Sequence, residues 1–338
     1  MAKCLTKSLI TFKHPAPYTQ SVRLNYSKMK KYKYLLVTVI ILLNSVQLFS
    51  QQIADTLYKV EIRKKMYPNQ NGNIVHIDEA HNNFHTKDGR YFSFAQLLKS
   101  DGYRIKGNSS KFDTTTLKNI EILVIANALP DEMPRPIVTP TRSAFSQNEI
   151  QNLKKWVKRG GSLFIIADHM PFAGAASELA KEFGFDFYDS FVMNDSLRGI
   201  IDFDKTIGTL NNNLITKGRN IDEEVNRVRS FTGQGFKIPK NAKSILKLDE
   251  SLTVHLVDTM WVFNEKVKRF PAKGLSQGAI MTFGRGKIAV FGEAAMFSAQ
   301  LAGPDRIKVG MNSEEAKENY QLLLNTIHWL DGKLDDEN

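Results

Sequence analysis

The chain has 338 residues, 42% of them apolar, enough for one sizeable folded domain and against wholesale disorder. Its formal charge of +11 looks like a nucleic-acid signature, but residues 1–50 hold eight Lys/Arg and no Asp/Glu, so the rest keeps only +3 (11 − 8) and no nucleic acid is expected as a partner. Cys4 is the single cysteine, which excludes disulfides, thiolate metal sites and a cysteine nucleophile from everything after it.

Lys28, Lys30, Lys31 and Lys33 precede the apolar run 35–43, and a short polar region follows to Ser50 and Gln51. This is the pattern of an export signal, here with a long N-terminal extension that makes Met29 a second candidate start beside Met1. The run is shorter than the ~20 residues of a comfortable membrane span. A cleaved signal over 1–50 is the first expectation and an uncleaved anchor the alternative, so the membrane enters only through this segment. The expected location is the periplasm or cell envelope. Residues 51–71 read as a linker ending in the turn cluster Pro68, Asn69, Asn71 and Gly72. The main domain spans 72–332, with a tail at 333–338.

Ile74, Val75 and Ile77 form a short apolar strand that ends abruptly in Asp78-Glu79-Ala80-His81-Asn82-Asn83-Phe84-His85-Thr86. In an open α/β sheet, ligands bind beyond the carboxyl ends of the strands, so this cluster marks an expected site. Asp78-Glu79-Ala80-His81 also spells a helicase box, but no phosphate-binding G-x-x-x-x-G-K-[ST] accompanies it. Ser93 reads as the N-cap of a helix with Phe94, Leu97 and Leu98 inward, closed by Gly102. An edge strand at 103–105 follows, then a near-continuous apolar run at 120–126, typical of a parallel strand buried on both faces. Residues 127–144 are a proline-rich loop. Ser146-x-x-Glu149 is a capping box for a helix with Ile150, Leu153, Trp156 and Val157 inward, ended by Gly160-Gly161. The strand 163–167 finishes in Asp168-His169, and a further helix lies within 171–182. Between about 191 and 275 the rhythm breaks into turns and short apolar pieces, read as a β-rich insertion. It resumes at 279–283, turns at Gly284-Arg285-Gly286, and runs through 288–292 to Glu293. A last helix runs from a cap at Ser313 to Gly332.

Three strand ends therefore carry acids or imidazoles, and in a parallel sheet all three lie on one edge. Glu79, His81, Asp168, His169 and Glu293 are the catalytic candidates. Asp78, Asn82, Asn83, His85 and Phe172 are the candidates for ligand binding. His81 and His85, spaced i, i+4, with Asp78, Asp168, His169 or Glu293, offer a nitrogen and oxygen set for a divalent metal. Metal-free general acid/base chemistry by the same carboxylates and imidazoles stays open beside it. Serine catalysis is not expected, since no G-x-S-x-G occurs.

The Asp78–Thr86 cluster, the glycine-led strand from Gly160 to Asp168-His169, and Gly284-Arg285-Gly286-Lys287 through Gly292-Glu293-Ala294-Ala295-Met296-Phe297 together resemble the exported branch of the class I glutamine amidotransferase-like superfamily. That branch is similar to the domain of gliding-motility transporter subunits and of an intraflagellar transport component. The resemblance implies an α/β fold, a flavodoxin-like doubly wound parallel sheet with the β-rich insertion, and an envelope or transporter-type protein partner. Active amidotransferases of this fold carry a cysteine in a G-x-C-x-G elbow, with a histidine and a glutamate late in the chain. Here the elbow reads Ala126-Asn127-Ala128 and no histidine precedes Glu293, so glutaminase activity is not implied. The expected function is binding of a small polar ligand, such as a sugar. A hydrolase using the same residues, with or without a divalent metal, is the alternative.

Overall fold

The computed structural model describes residues 52–334 other than Asp195 and Leu197. The expected export signal at 1–50, both candidate start positions, Cys4 and most of the 333–338 tail lie outside the described residues. The chain from Gln52 onward forms one compact unit. No helix among the described residues is long and apolar enough to cross a membrane.

In chain order the elements are β1 (Gln52–Ala54), β2 (Ile74–Asp78), α1 (Phe92–Ser100), β3 (Arg104–Asn108), α2 (Thr114–Lys118), β4 (Ile122–Ala126), α3 (Gln147–Lys158), β5 (Ser162–Ile166) and α4 (Phe172–Glu182). Then come β6 (Asp186–Phe187), β7 (Phe191–Asn194), β8 (Ile201–Asp204), α5 (Leu214–Lys217), β9 (Arg227–Ser230), β10 (Phe236–Lys237), β11 (Lys243–Lys247), β12 (Leu252–Leu256) and β13 (Lys268–Pro271). The last are β14 (Ser276–Phe283), β15 (Gly286–Phe291), β16 (Ala299–Ala302), β17 (Ile307–Gly310) and α6 (Asn319–Leu330).

Nine strands form one mixed α/β sheet in the order β3-β2-β4-β5-β15-β14-β10-β6, with β11 also on β14. The strands from β3 to β15 are mutually parallel, and β14 turns back antiparallel through the Gly284-Arg285 turn. Every residue of β4 and β5 is buried, which is why both strands appear in sequence as unbroken apolar runs. Val75, Ile77, Val124, Phe164 and Phe291 pack with α1 and α6 on one face. Leu123, Ile125, Leu163, Ile165 and Val290 pack with α3 and α4 on the other. Helix α3 begins at the expected capping box, Ser146 accepting from Glu149 N while the Glu149 carboxylate accepts from Ser146 N, and Gly160 ends it at φ 119°.

Five expectations change. The sheet is mixed, because β14, β11, β10 and β6 extend it antiparallel beyond β15. Residues 52–71 are packed chain: β1 pairs with β16, and Tyr58, Val60, Ile62, Met66 and Tyr67 pack on the main core. Ser93 lies inside α1, where its hydroxyl donates to Asp55 O at 3.1 Å and fastens that entering segment. After Ser313 comes one 3₁₀ turn, and α6 starts only at Asn319. The expected insertion supplies a three-stranded sheet β13-β12-β7 and the pair β8-β9, but its β10 and β11 join the main sheet.

Candidate functional site

At the end of β2, Asp78 is buried and its carboxylate faces His81 Nδ1 at 2.8 and 3.0 Å. The other ring nitrogen, Nε2, meets Glu149 Oε1 at 2.9 Å, and the ring lies between Phe112 and Phe145. Burial pushes the His81 pKa down, but the hydrogen bonds and charges of Asp78 and Glu149 outweigh it and raise the value. Burial likewise works against ionisation of Glu149, yet His81, the Ser146 hydroxyl and amide, and the Phe112 amide hold its carboxyl down at about 2. Asp78, His81 and Glu149 thus form a closed, charged triad with no free edge on the imidazole. Glu79 points aside, its Oε1 accepting from Lys87 N at 2.8 Å. Asn82, at φ 45°, donates to Asp131 at 3.2 Å on the surface, while Asn83 accepts from His81 N and donates to Ala126 O.

A second cluster gathers the ends of β4, β5 and β15. Asn127 sits immediately after β4 in the left-handed region at φ 49° and is completely buried. A non-glycine residue in that conformation is uncommon and marks a sharply turned strand end. Its Oδ1 accepts from Asp168 N at 2.9 Å, and its Nδ2 donates to His85 Nδ1 at 3.2 Å. His85 is neutral: burial, with the positive charge of Arg90, drives its pKa down to about 3. With Nδ1 accepting, Nε2 carries the proton, and it is buried with no partner among the described residues.

Asp168 and Glu293 share this cluster. Burial raises the pKa of both carboxyls, and the charge of Asp168 raises Glu293 further. The Glu293 oxygens accept from Ala295 N and Met296 N at 2.7 Å each, so its position is fixed by backbone. Gly233, from the Thr232-Gly233-Gln234-Gly235 turn, crosses here so closely that a Cβ would stand 2.3 Å from Gly292 O. Tyr91 donates to Ala294 O at 3.1 Å, and its hydroxyl pKa is raised by burial and by both carboxylates. Arg90 lies over the Phe84 ring at 3.9 Å; burial lowers its pKa and Asp168 partly offsets that.

His169 is the outward member. Its Nδ1 donates to Met170 O at 2.6 Å, leaving Nε2 without a partner among the described residues, and its ring stacks on Phe191 at 4.4 Å. Trp261 stands edge-on to it at 4.8 Å in left-handed backbone at φ 63°, and is 53% exposed. Phe172 lies between His169 and Phe84, which is 43% exposed. The rings of Phe84, Phe172, His169 and Trp261 therefore make an aromatic shelf beside Asp168, its end rings Phe84 and Trp261 exposed and its middle rings Phe172 and His169 buried.

The candidates therefore divide. Asp168, His169, Glu293, His85 and Phe172 come together, whereas Asp78, His81 and Asn83 belong to the triad, and Glu79 and Asn82 turn elsewhere. Residues 79–86 are not helical, so His81 and His85 do not converge. Among the described residues no group of three or more His, Cys, Asp or Glu side chains is arranged to hold a metal ion. Sequence reasoning missed Glu149, Arg90, Tyr91, Asn127 and Trp261 as site residues. Only Asn127 had a local signal, its place at the end of an apolar strand.

No protein-family model and no curated protein matches the chain. Among solved structures, the N-terminal domain of mmIFT52 aligns over 78% of this chain and 99% of its own length, at 16% identity and a TM-score of 0.52. The chain shares the fold of that domain. A ThuA-like protein from Bacteroides uniformis aligns over 83% of this chain and 97% of its own, at 11% identity and a TM-score of 0.43. A cytoplasmic protein from Salmonella typhimurium aligns over 76% and 98%, at 13% identity and a TM-score of 0.42.

Proposed function

We propose that the chain is an exported cell-envelope protein with a flavodoxin-like, class I glutamine amidotransferase-like core that lacks glutaminase activity and binds a sugar. The strand order supports the flavodoxin-like reading, since β2, the first strand of the main sheet in chain order, lies between β3 and β4. The observation that carries the binding reading is the aromatic shelf, with Phe84 and Trp261 exposed at its ends, His169 within it and Asp168 beside it. A pyranose presents a face of C–H bonds that packs against aromatic rings, while its hydroxyls bond to carboxylate and imidazole. Against catalysis at the elbow, Asn127 supplies no nucleophile and both ends of its amide are engaged. Export rests on the 28–51 pattern, and an envelope or transporter-type protein remains the proposed macromolecular partner.

Hydrolysis is the second reading. It is favoured by His169 Nε2 lying free next to a carboxyl of raised pKa. Calorimetric titration with the methyl glycosides of glucose, galactose and mannose, beside p-nitrophenyl glycoside turnover, separates the two. Binding of one glycoside, weakened about tenfold or more in Trp261→Ala and in Asp168→Asn, supports the shelf; tenfold corresponds to about 1.4 kcal/mol. Turnover abolished by His169→Asn moves the assignment to hydrolase. No binding and no turnover with any of these probes overturns both.

A further inference from the structure

The small sheet β1-β16-β17 turns one face toward the body, where Gln52 and Gln300 meet Arg90. On the other face Ile53, Leu301 and Lys308 form one cross-strand row. With the chain that follows β1 and the turn after β17, this face walls a groove of about 620 Å³. Its apolar surface comes from Leu57, Val60, Leu301 and Met311, with the rings of Tyr58 and Tyr320. Leu57 is 86% exposed and Ile53 44%. A single exposed leucine needs no explanation, but here two exposed apolar side chains accompany three lysines.

Lys59, Lys308 and Lys317 line the groove or its rim, all exposed and none with a carboxylate partner among the described residues. Of the two acids present, Asp55 accepts inward from Leu57 N at 3.1 Å and Asn312 Nδ2 at 3.0 Å, which leaves Glu314 facing solvent. Asn312 itself is 8% exposed and its Oδ1 is buried with no partner, an acceptor without a donor. Apolar side chains flanked by unpaired lysines match the boundary between acyl chains and anionic headgroups.

We propose that this face docks on the surface of an anionic phospholipid bilayer. Leu57 and Ile53 enter the headgroup boundary, and the three lysines meet the phosphates of phosphatidylglycerol. The sequence adds an independent reason. The apolar run 35–43 ends eight residues before Gln52, a stretch that reaches at most about 30 Å. If the run is retained in a membrane, β1 is the first element of the described unit to leave it.

The test uses the chain from Gln52 onward, which keeps the whole compact unit and removes the apolar run from the measurement. It is floated with vesicles of phosphatidylcholine alone and of equal parts phosphatidylcholine and phosphatidylglycerol. Flotation is expected with the anionic vesicles alone, weakening as salt is raised. The Lys59→Glu/Lys308→Glu/Lys317→Glu variant is expected to lose roughly tenfold or more in binding, since each lysine near an anionic surface contributes about a fivefold factor. Leu57→Ser is expected to weaken binding without lowering the melting temperature, its side chain being exposed. Equal flotation with both vesicle types, no flotation with either, or native-like binding by the triple variant overturns the proposal. So does binding of soluble lysophosphatidylglycerol without flotation, which would make the groove a receptor for a single amphiphile.

Discussion

Two clusters of acids and imidazoles sit on the same edge of one sheet, built from similar residues, and they are chemically opposite. In the first, His81 lies between Asp78 and Glu149, so each charge has a partner of the other sign. In the second, Asp168 and Glu293 are two carboxyls buried together, their pKa values pushed up by burial, beside a histidine pushed down to about 3. Paired charge closes a site, whereas mismatched charge leaves protons and hydrogen-bonding capacity unassigned. Perturbed groups of the second kind concentrate where ligands bind. The comparison therefore favours the proposed recognition site at Asp168 and His169 over one at His81.

The largest effect separating the two clusters is expected from Glu149→Ala. It leaves the buried His81 with one carboxylate and removes the side-chain partner of the α3 cap, so about 3–5 kcal/mol of stability is lost in urea unfolding. Glycoside binding at the shelf, measured where the variant is still folded, is expected to stay at the native value. The pH dependence has a definite sign. Glu149 is depressed, so its contribution is complete above about 4.5 and vanishes as pH falls through about 2. His81 is raised, so its contribution is complete below 6.5 and vanishes as pH rises through its folded value. A loss under 1 kcal/mol would mean that the triad is ordinary surface pairing.

Why the sequence separated these clusters poorly follows from where the partners lie. The β4 and β5 strands and the Ser146 capping box were legible because each is a local pattern. Asp168 and Glu293 were legible as strand ends, and a parallel sheet necessarily brings such ends to one edge. His81 was misgrouped because its decisive partner, Glu149, is 68 residues away and already explained by capping. The 52–71 segment looked like a linker because β1 is three residues long and acquires its meaning only from β16. Yet Tyr58, Val60 and Ile62 alternate with Lys59, Glu61 and Arg63, a signal of one buried side. Trp261 gave no signal at all, since its role depends on a left-handed backbone and on the stack against His169.

Asn127→Ala tests whether the second cluster is held by its own network, with an expected loss of about 2–4 kcal/mol. The substitution leaves His85 Nδ1 and Asp168 N without partners, each orphaned group costing about 1–3 kcal/mol, and keeps an unfavourable left-handed residue. Asn127→Gly loses the same bonds but relieves the backbone, so it is expected to be the more stable of the two by about 1 kcal/mol. Equal stabilities in thermal unfolding would show that the turn at φ 49° stores no strain.

The smallest and most diagnostic effect belongs to Asp168→Asn. With its pKa raised in the folded protein, Asp168 keeps its proton above 3.8 while the unfolded chain releases it, so rising pH favours unfolding. Glu293 acts in the same direction from about 4.5 upward. Each such carboxyl contributes a slope of at most about 1.4 kcal/mol per pH unit until its folded pKa is passed. Asp168→Asn removes one slope directly, and it shrinks the other because the charge that raises Glu293 is gone. Stability measured by urea unfolding from pH 4 upward is therefore expected to fall less steeply in the variant than in the native protein. Glu149 contributes the same slope to both curves, so the difference in slope belongs to the second cluster alone. Parallel curves would mean that Asp168 is ionised in the folded protein as an ordinary carboxylate is. The contrast between a closed triad and a proton-holding pair would then fail at its central residue.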